Sequence, residues 1–236
     1  MFVRLFQMNC VTNLHVGSGD VNYNIIDNEV EKDPVTGYAT INASGVKGAF
    51  REYFSKISEK DVLSLFGGNE GDKTIPGAIK FMQADILAMP VRATQGKEAY
   101  YLVASEENIF NLKEKRQMLE GKELKLSRQK ASEKIKAEGI ELKEYVELNG
   151  KKIYIITNSD YKKIMLPVIA RNKLDNGISE NLWYEEVVPH HSIFTFYVLA
   201  DSEERLSCFS NYILNRVVQF GGGATIGYGF CKITAF

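Results

Sequence analysis

The chain has 236 residues, 44% hydrophobic and 25% charged, with 29 Lys and Arg against 30 Asp and Glu and a net charge of −1. That length allows one large domain or two small ones, and the composition is that of an ordinary globular protein. A global basic footprint is excluded, so any nucleic-acid binding must rest on a local patch, and no apolar run reaches membrane-spanning length, so no membrane partner is expected.

In chain order, residues 2–12 mix aromatic and β-branched side chains and predict a strand, not a signal peptide. After His15-Val16-Gly17-Ser18-Gly19-Asp20, a polar loop from Asn22 to Thr36 carries Asp27, Glu29, Glu31 and Asp33; Pro34 and Gly37 mark a turn, with Asp33 as its former. Ser44 predicts the N-cap of a helix to about Ile57, with Val46, Phe50, Tyr53, Phe54 and Ile57 facing inward. Lys47 and Arg51, spaced i and i+4, leave the same side of that helix.

Residues 78–91 read as strands, and residues 106–145, dense in both signs of charge, predict an inserted, solvent-facing helical region. Apolar runs at 153–157 and 193–199 predict two further strands. Between them lies a polar protrusion from Arg171 to Gly177, and Leu182-Trp183-Tyr184-Glu185-Glu186 follows. Trp183 and Tyr184 suit either base stacking or core packing. Ser202 caps a last helix, with Glu203 and Glu204 in its first turn and Leu206, Phe209, Ile213 and Val217 facing the core.

Gly221, Gly222, Gly223, Gly227 and Gly229 crowd the segment between that helix and a final strand, Phe230 to Phe236. A helix cap needs one glycine; five suggest a loop whose main-chain amides converge on phosphate. Neither the P-loop nor the dinucleotide fingerprint fits, because no Lys-Ser/Thr follows and a strand comes next. Cys10, Cys208 and Cys231 are odd in number and flanked by apolar residues, which predicts reduced thiols and a cytoplasmic location. His190-His191 lacks a third ligand for zinc. The element order is α+β, compatible with a ferredoxin-like or RNA-recognition-like sheet carrying insertions.

Several segments, taken in order, resemble one family. They are His15 to Gly19, Ile26-Asp27, Thr36-Gly37-Tyr38, Val46-Lys47-Gly48-Ala49-Phe50-Arg51, Leu65-Phe66-Gly67, Pro90-Val91-Arg92, Leu182 to Glu186 with Pro189, and Gly221-Gly222 to Gly229. The family is the RAMP superfamily, and within it the repeating backbone subunit of Cmr-type (type III-B) CRISPR effector complexes. The equivalent Csm-type subunit competes through Asp33-Pro34 and Thr36-Gly37, whereas Leu182 to Glu186 and Ala224-Thr225-Ile226-Gly227 favour Cmr. Asn42-Ala43, Ala39 and Gly223 depart from the family pattern, which bears on loop geometry and not on the fold.

The resemblance implies a single RAMP domain over residues 1–236: a discontinuous palm, the inserted region near 106–145 and a thumb hairpin near 171–182. It implies a subunit that stacks with copies of itself along CRISPR guide RNA, beside other type III subunits, and cuts complementary target RNA at regular intervals. The thumb would displace one nucleotide of the guide–target duplex. By family motif, Asp27 is the catalytic residue and metal ligand. A carboxylate of ordinary pKa is a poor base at neutral pH, so its natural role is to hold a transient hydrated Mg2+ or Mn2+ while a 2′-OH attacks the next phosphate. With this resemblance, the exposed side of the sheet is expected to cradle the RNA strand through main-chain amides and a few cations, with Lys47, Arg51, Arg171, Lys173, Gly221, Gly222, Gly223, Thr225 and Gly227 as its RNA-binding residues. Two alternatives are a structural guide-binding subunit without cleavage and a metal-independent guide-processing endoribonuclease acting through His15. A lone histidine beside Gly-Ser-Gly is more commonly structural.

Overall fold

A computed structural model describes residues 1–19, 25–176 and 178–236; Asp20, Asn22 and Gly177, named above, lie outside the described residues. The first half runs β1 (Phe2–Cys10), β2 (Thr40–Ile41), α1 (Ala43–Ile57), α2 (Glu59–Phe66), β3 (Gly67–Glu70), β4 (Lys73–Pro76), β5 (Ile79–Phe81), β6 (Ala84–Gln95) and β7 (Tyr100–Ser105). Next come α3 (Glu106–Glu120), β8 (Gln129–Ala137), β9 (Ile140–Leu148), β10 (Lys151–Ile156) and α4 (Asn158–Tyr161). The chain continues through β11 (Val168–Asp175), β12 (Ile178–Glu186), β13 (Ile193–Ala200), α5 (Glu203–Ile213), β14 (Val217–Gln219) and β15 (Phe230–Ala235).

Strands β15, β1, β13 and β6 lie side by side in that order, each antiparallel to its neighbour. With α1 joining β1 towards β6 and α5 joining β13 towards β15, the order is the 4-1-3-2 of a ferredoxin-like unit, and the α+β expectation is met. All eight residues of β13 are buried. Phe194, Phe196 and Val198 face one core with α1 and α5, while Ile193, Tyr197 and Leu199 face a second core with α3. A strand covered on both faces reads as a continuous apolar run, which is why no alternation marks it.

Phe209 of α5 centres the first core. Its ring lies 5.1 Å from Phe50, 5.6 Å from Phe54, 5.5 Å from Phe81 and 6.1 Å from Phe6. On the other side, Ile109 and Leu112 of α3 pack with Leu5, Leu87, Tyr197 and Leu199. The expectation that one side of the sheet lies open to an RNA strand is therefore not met. Apolar burial by α3 seals much of it.

The 106–145 stretch, expected to be helical, is helical only over Glu106–Glu120 and then stops at Gly121 in the left-handed conformation (φ 66°). β8 and β9 form an antiparallel hairpin instead, turning at Glu138 and Gly139, both with positive φ. Ile135 and Ala137, then Leu142, Val146 and Leu148, bury positions separated by multiples of two, and charged residues on the outer face mask that period. β8 also pairs with the far end of β6, so β6, β7, β10, β9 and β8 close into a five-stranded ring.

Other boundaries shift for local reasons. Asn42, not Ser44, stands at the start of α1 and makes no side-chain cap. The last helix ends at Ile213, and Asn215 turns left-handed (φ 60°), so Val217 falls in a strand and is exposed instead of facing the core. Ser202 caps α5 as expected, accepting the Arg205 N–H. The glycine segment therefore joins two strands, β14 and β15, not a helix and a strand.

Two of its glycines are required by close approach. A Cβ on Gly221 would sit 2.2 Å from the His15 carbonyl oxygen, and one on Gly229 would sit 1.9 Å from that of Phe220; both have positive φ. Gly222 has open space, its nearest neighbour 4.0 Å from an added Cβ. Gly229→Ala should lower the melting temperature by more than about 3 °C, whereas Gly222→Ala should leave it within about 1 °C. Thermal denaturation followed by circular dichroism checks this, and equal melting of the two variants would refute the packing assignment.

Candidate functional site

The β11–β12 hairpin stands outside the large sheet, with Arg171 opposite Trp183 and Ala170 opposite Tyr184. Its root is held by Glu186, a buried carboxylate that accepts the Val30 N–H at 3.1 Å and meets Lys32 Nζ at 2.9 Å. A buried charge persists only when so paired and bonded. His15 locks the same root to the glycine segment: its Nδ1 lies 2.7 Å from the Glu186 carbonyl oxygen, and its own carbonyl accepts the Gly222 N–H at 2.9 Å. The imidazole Nε2 lies 4.0 Å from the Glu185 carboxylate. These contacts give His15 a structural task.

Asp27 sits beside β12. Its N–H donates to the Tyr184 carbonyl at 3.1 Å, and its Oδ2 accepts the Tyr184 N–H at 2.8 Å. The residue is exposed, and its other carboxylate oxygen has no partner among the described residues. Asn28 continues the contact by bridging to Glu185. Asp33 behaves differently: its Oδ1 accepts N–H groups of Val35 and Thr36 and the Thr36 hydroxyl. Burial pushes its carboxyl up, but the Thr36 and Val35 bonds outweigh that and hold it below the ordinary carboxylate value. It shapes the turn.

The four predicted cations divide. Lys47 is half-buried and makes no ion pair among the described residues. Arg51, one turn on, donates from Nη1 to the Gly67 carbonyl at 2.5 Å and so closes the C-terminus of α2. Arg171 lies between two rings, 6.0 Å from the centroid of Trp183 and 5.5 Å from that of Tyr228, with Glu185 at 3.6 Å. Trp183 thus packs against a guanidinium at the hairpin root. Lys173 pairs with Glu180 at 2.8 Å on the exposed hairpin, a contact that a phosphate can replace at little cost. Tyr228 was not singled out from the sequence; an aromatic within a glycine-rich turn was the available signal.

At the tip of the glycine segment, residues 221–226 are all exposed. Gly223 (φ 71°) leads into a 3-10 turn over Ala224–Ile226 that ends at Gly227 (φ 86°). The N–H groups of Ile226, Gly227 and Tyr228 bond back onto Gly223 and Ala224 carbonyls. Those of Gly223, Ala224 and Thr225 have no partner among the described residues. Successive unpaired amides in such a turn form an anion-binding concavity. Of the predicted contacts, Gly223 and Thr225 offer free amides, Gly222 and Gly227 spend theirs internally, and Gly221 is required by packing.

Asp27, the hairpin and the glycine tip are linked by a chain of contacts through Tyr184, Trp183, Arg171 and Tyr228. Lys47 stands one turn before Phe50, whose ring packs 5.3 Å from Phe220 at the base of that tip. No cluster of three His, Cys, Asp or Glu among the described residues is arranged to hold a metal ion. One free carboxylate oxygen on Asp27 fits a hydrated Mg2+ or Mn2+ that keeps its waters and shares phosphate oxygens, and does not fit a closed protein cage. Among the described residues no helix is long and apolar enough to cross a membrane.

The same fold recurs in known proteins. The chain is 24% identical to the CRISPR system Cmr endoribonuclease Cmr4 of Pyrococcus furiosus, over 95% of this chain and 92% of that one. Its fold is similar to a chain in the cryo-EM structure of Type III-B Cmr-beta bound to cognate target RNA, with a TM-score of 0.80, 23% identity, and coverage of 99% and 97% of the two chains. It is similar also to the crystal structure of oligomeric Cmr4 from Pyrococcus furiosus, with a TM-score of 0.72, 20% identity, and coverage of 98% and 97%. The profile of the RAMP superfamily matches residues 7–232, nearly the whole chain, and this protein belongs to that superfamily.

Proposed function

We propose that this chain is the repeating backbone subunit of a Cmr-type (type III-B) CRISPR ribonucleoprotein, which binds guide RNA in a helical filament with copies of itself and with other type III subunits. In that assembly it cuts complementary target RNA at regular intervals. The observation that carries this reading is the likeness to Cmr4 along 95% of the chain, joined to an exposed Asp27 at the hairpin root. The site chemistry supports it. Lys47, Lys173 and the free amides of Gly223 and Thr225 suit phosphate, which positions an RNA without reading it and leaves sequence to base pairing. Arg51 and Arg171 act as positioning residues for the helix end and the hairpin root. A net charge of −1 suits a subunit that grips few phosphates per copy.

The hairpin carries exposed Ile178 and Leu182, apolar side chains able to wedge between stacked nucleotides. The resulting kink brings a 2′-OH in line with the next phosphate. The 2′-O–P bond forms and the P–O5′ bond breaks, leaving a 2′,3′-cyclic phosphate and a free 5′-hydroxyl. The Tyr184 N–H fixes the Asp27 carboxylate with one oxygen facing outward. A divalent cation bound there supplies charge neutralisation at the phosphate. DNA, lacking the 2′-OH, resists.

One observation favours a second reading, a guide-binding subunit without cleavage: Asp27 already has a structural task in holding β12. Asp27→Asn separates the two, because an amide oxygen still accepts the Tyr184 N–H while the charge is lost. In the assembled complex this variant should bind guide and target normally, melt at the same temperature and cleave target about 100-fold more slowly or worse. Undiminished cleavage would refute the site. Separately, Lys47→Ala should weaken RNA binding uniformly across guide sequences and reduce the slope of log affinity against log salt by about 1. A loss confined to particular sequences, read by fluorescence anisotropy, would contradict a phosphate role.

A further inference from the structure

A second cleft, with a volume of about 530 Å³, opens on the five-stranded ring, and its lining includes Tyr100, Tyr145, Lys151, Lys152 and His191. Its features are those of a built site. The rings of Tyr100 and His191 lie stacked, 5.0 Å apart and 10° from parallel, and both residues are exposed. His191 is held in the left-handed backbone region (φ 70°) by its N–H bond to the Cys10 carbonyl at 2.7 Å, which fixes where its ring points. Burial, then the neighbouring His190 and Lys151, push the His191 imidazole below its usual value, so at neutral pH it presents an uncharged aromatic face.

The cations around this platform are unevenly matched. Lys151 Nζ donates to the neutral Asn9 Oδ1 at 2.8 Å and forms no ion pair among the described residues. It is half-buried, and burial lowers its ammonium from the usual lysine value. A partly desolvated, unneutralised ammonium attracts an anion more strongly than one in open water. Lys152 Nζ stands 5.0 Å from the centroid of Tyr145. Four lysines and two glutamates line the cleft, an excess of two positive charges on a chain whose net charge is −1, and one of those glutamates, Glu133, is already paired with Lys97.

Stacked aromatic faces beside uncommitted cations recognise one chemistry, a base joined to a phosphate. We propose that this cleft is a nucleotide-binding site, in which a base stacks on the Tyr100–His191 pair beside Lys151, and Lys152, which leaves the other face of β10, meets a further phosphate. Continuity favours a unit of single-stranded RNA over a free nucleotide. The His190 N–H donates to Asn13 Oδ1 at 3.0 Å, and the Asn13 carbonyl accepts the Gly229 N–H at 2.8 Å, so the platform's turn is bonded to the segment that carries the glycine tip. The nucleotide site stands on the cleft's own chemistry; the choice of RNA over a free nucleotide rests on the RNA role proposed above for the glycine tip.

The test uses the full chain with two probes, a fluorescent oligoribonucleotide of about ten 4-thiouridines and a fluorescent ATP analogue. Anisotropy gives affinity; photocrosslinking with peptide mapping gives location. If RNA occupies the cleft, the oligonucleotide crosslinks at Tyr100 or His191, Tyr100→Ala weakens its binding about fivefold or more, and Tyr100→Phe, which keeps the ring, does not. Lys152→Gln, an exposed and conservative change, lowers the salt slope by about 1. Binding of the ATP analogue that Tyr100→Ala abolishes, with the oligonucleotide unaffected, keeps the site and assigns it to a free nucleotide. No crosslink in the cleft, together with affinities for both probes unmoved by Tyr100→Ala and Lys152→Gln, overturns the proposal.

Discussion

Burial of β13 on both faces is the constraint from which the rest of this molecule follows. Its eight residues alternate between a phenylalanine-rich core beneath α1 and α5 and a second core beneath α3. Each of its large aliphatic and phenylalanine side chains contributes about 1.5–3 kcal/mol on burial, so neither face can be uncovered without great loss. Ligand chemistry is therefore displaced from the sheet surface to hairpins and turns around it. Phe209 shows how tightly the first core is coupled, since it touches rings from β1, α1 and β5 at once.

Displaced groups need rigid support, and a small polar network provides it. Glu186 is buried, yet its carboxylate is answered by the Val30 N–H and by Lys32, while its carbonyl meets His15. His15 in turn binds Gly222. Satisfied polar networks of this kind specify orientation more than they add stability. Here they set the angle between the projecting hairpin and the glycine tip. Among the described residues Glu185 Oε2 makes no hydrogen bond, and it faces Arg171 at 3.6 Å, a contact held by charge, with the Trp183 and Tyr228 rings beside the guanidinium.

The hairpin root and the ring cleft are connected through Asn13, whose side chain binds His190 and whose carbonyl binds Gly229. Few net charges are needed at either place. Free amides at the tip and a desolvated ammonium in the cleft each concentrate positive potential locally, which reconciles polyanion chemistry with a slightly acidic chain.

Local pattern by itself determined much of this. The stripe Val46, Phe50 and Phe54 of α1, the stripe Leu206, Phe209 and Ile213 of α5, the Ser202 cap and the apolar runs of β10 and β13 are short-range properties that the structure keeps, whereas Ile57 at the end of α1 is exposed instead of facing inward. Order and spacing of motifs were enough to identify the superfamily; they also put Asp27 forward as the proposed site residue, while its bond to Tyr184, across 157 positions, was invisible. Tertiary structure alone decided the remainder. It turned a charged stretch into β8 and β9, because pairing with β6 and β10 rewards a period of two that surface charge conceals. It divided Lys47 from Arg51, because a carbonyl from the next helix reaches only one of them. It assembled Tyr100, Lys151 and His191 from separate strands and a turn. Sequence spacing governs neighbours along the backbone; which distant groups share a partner depends on how the chain closes on itself.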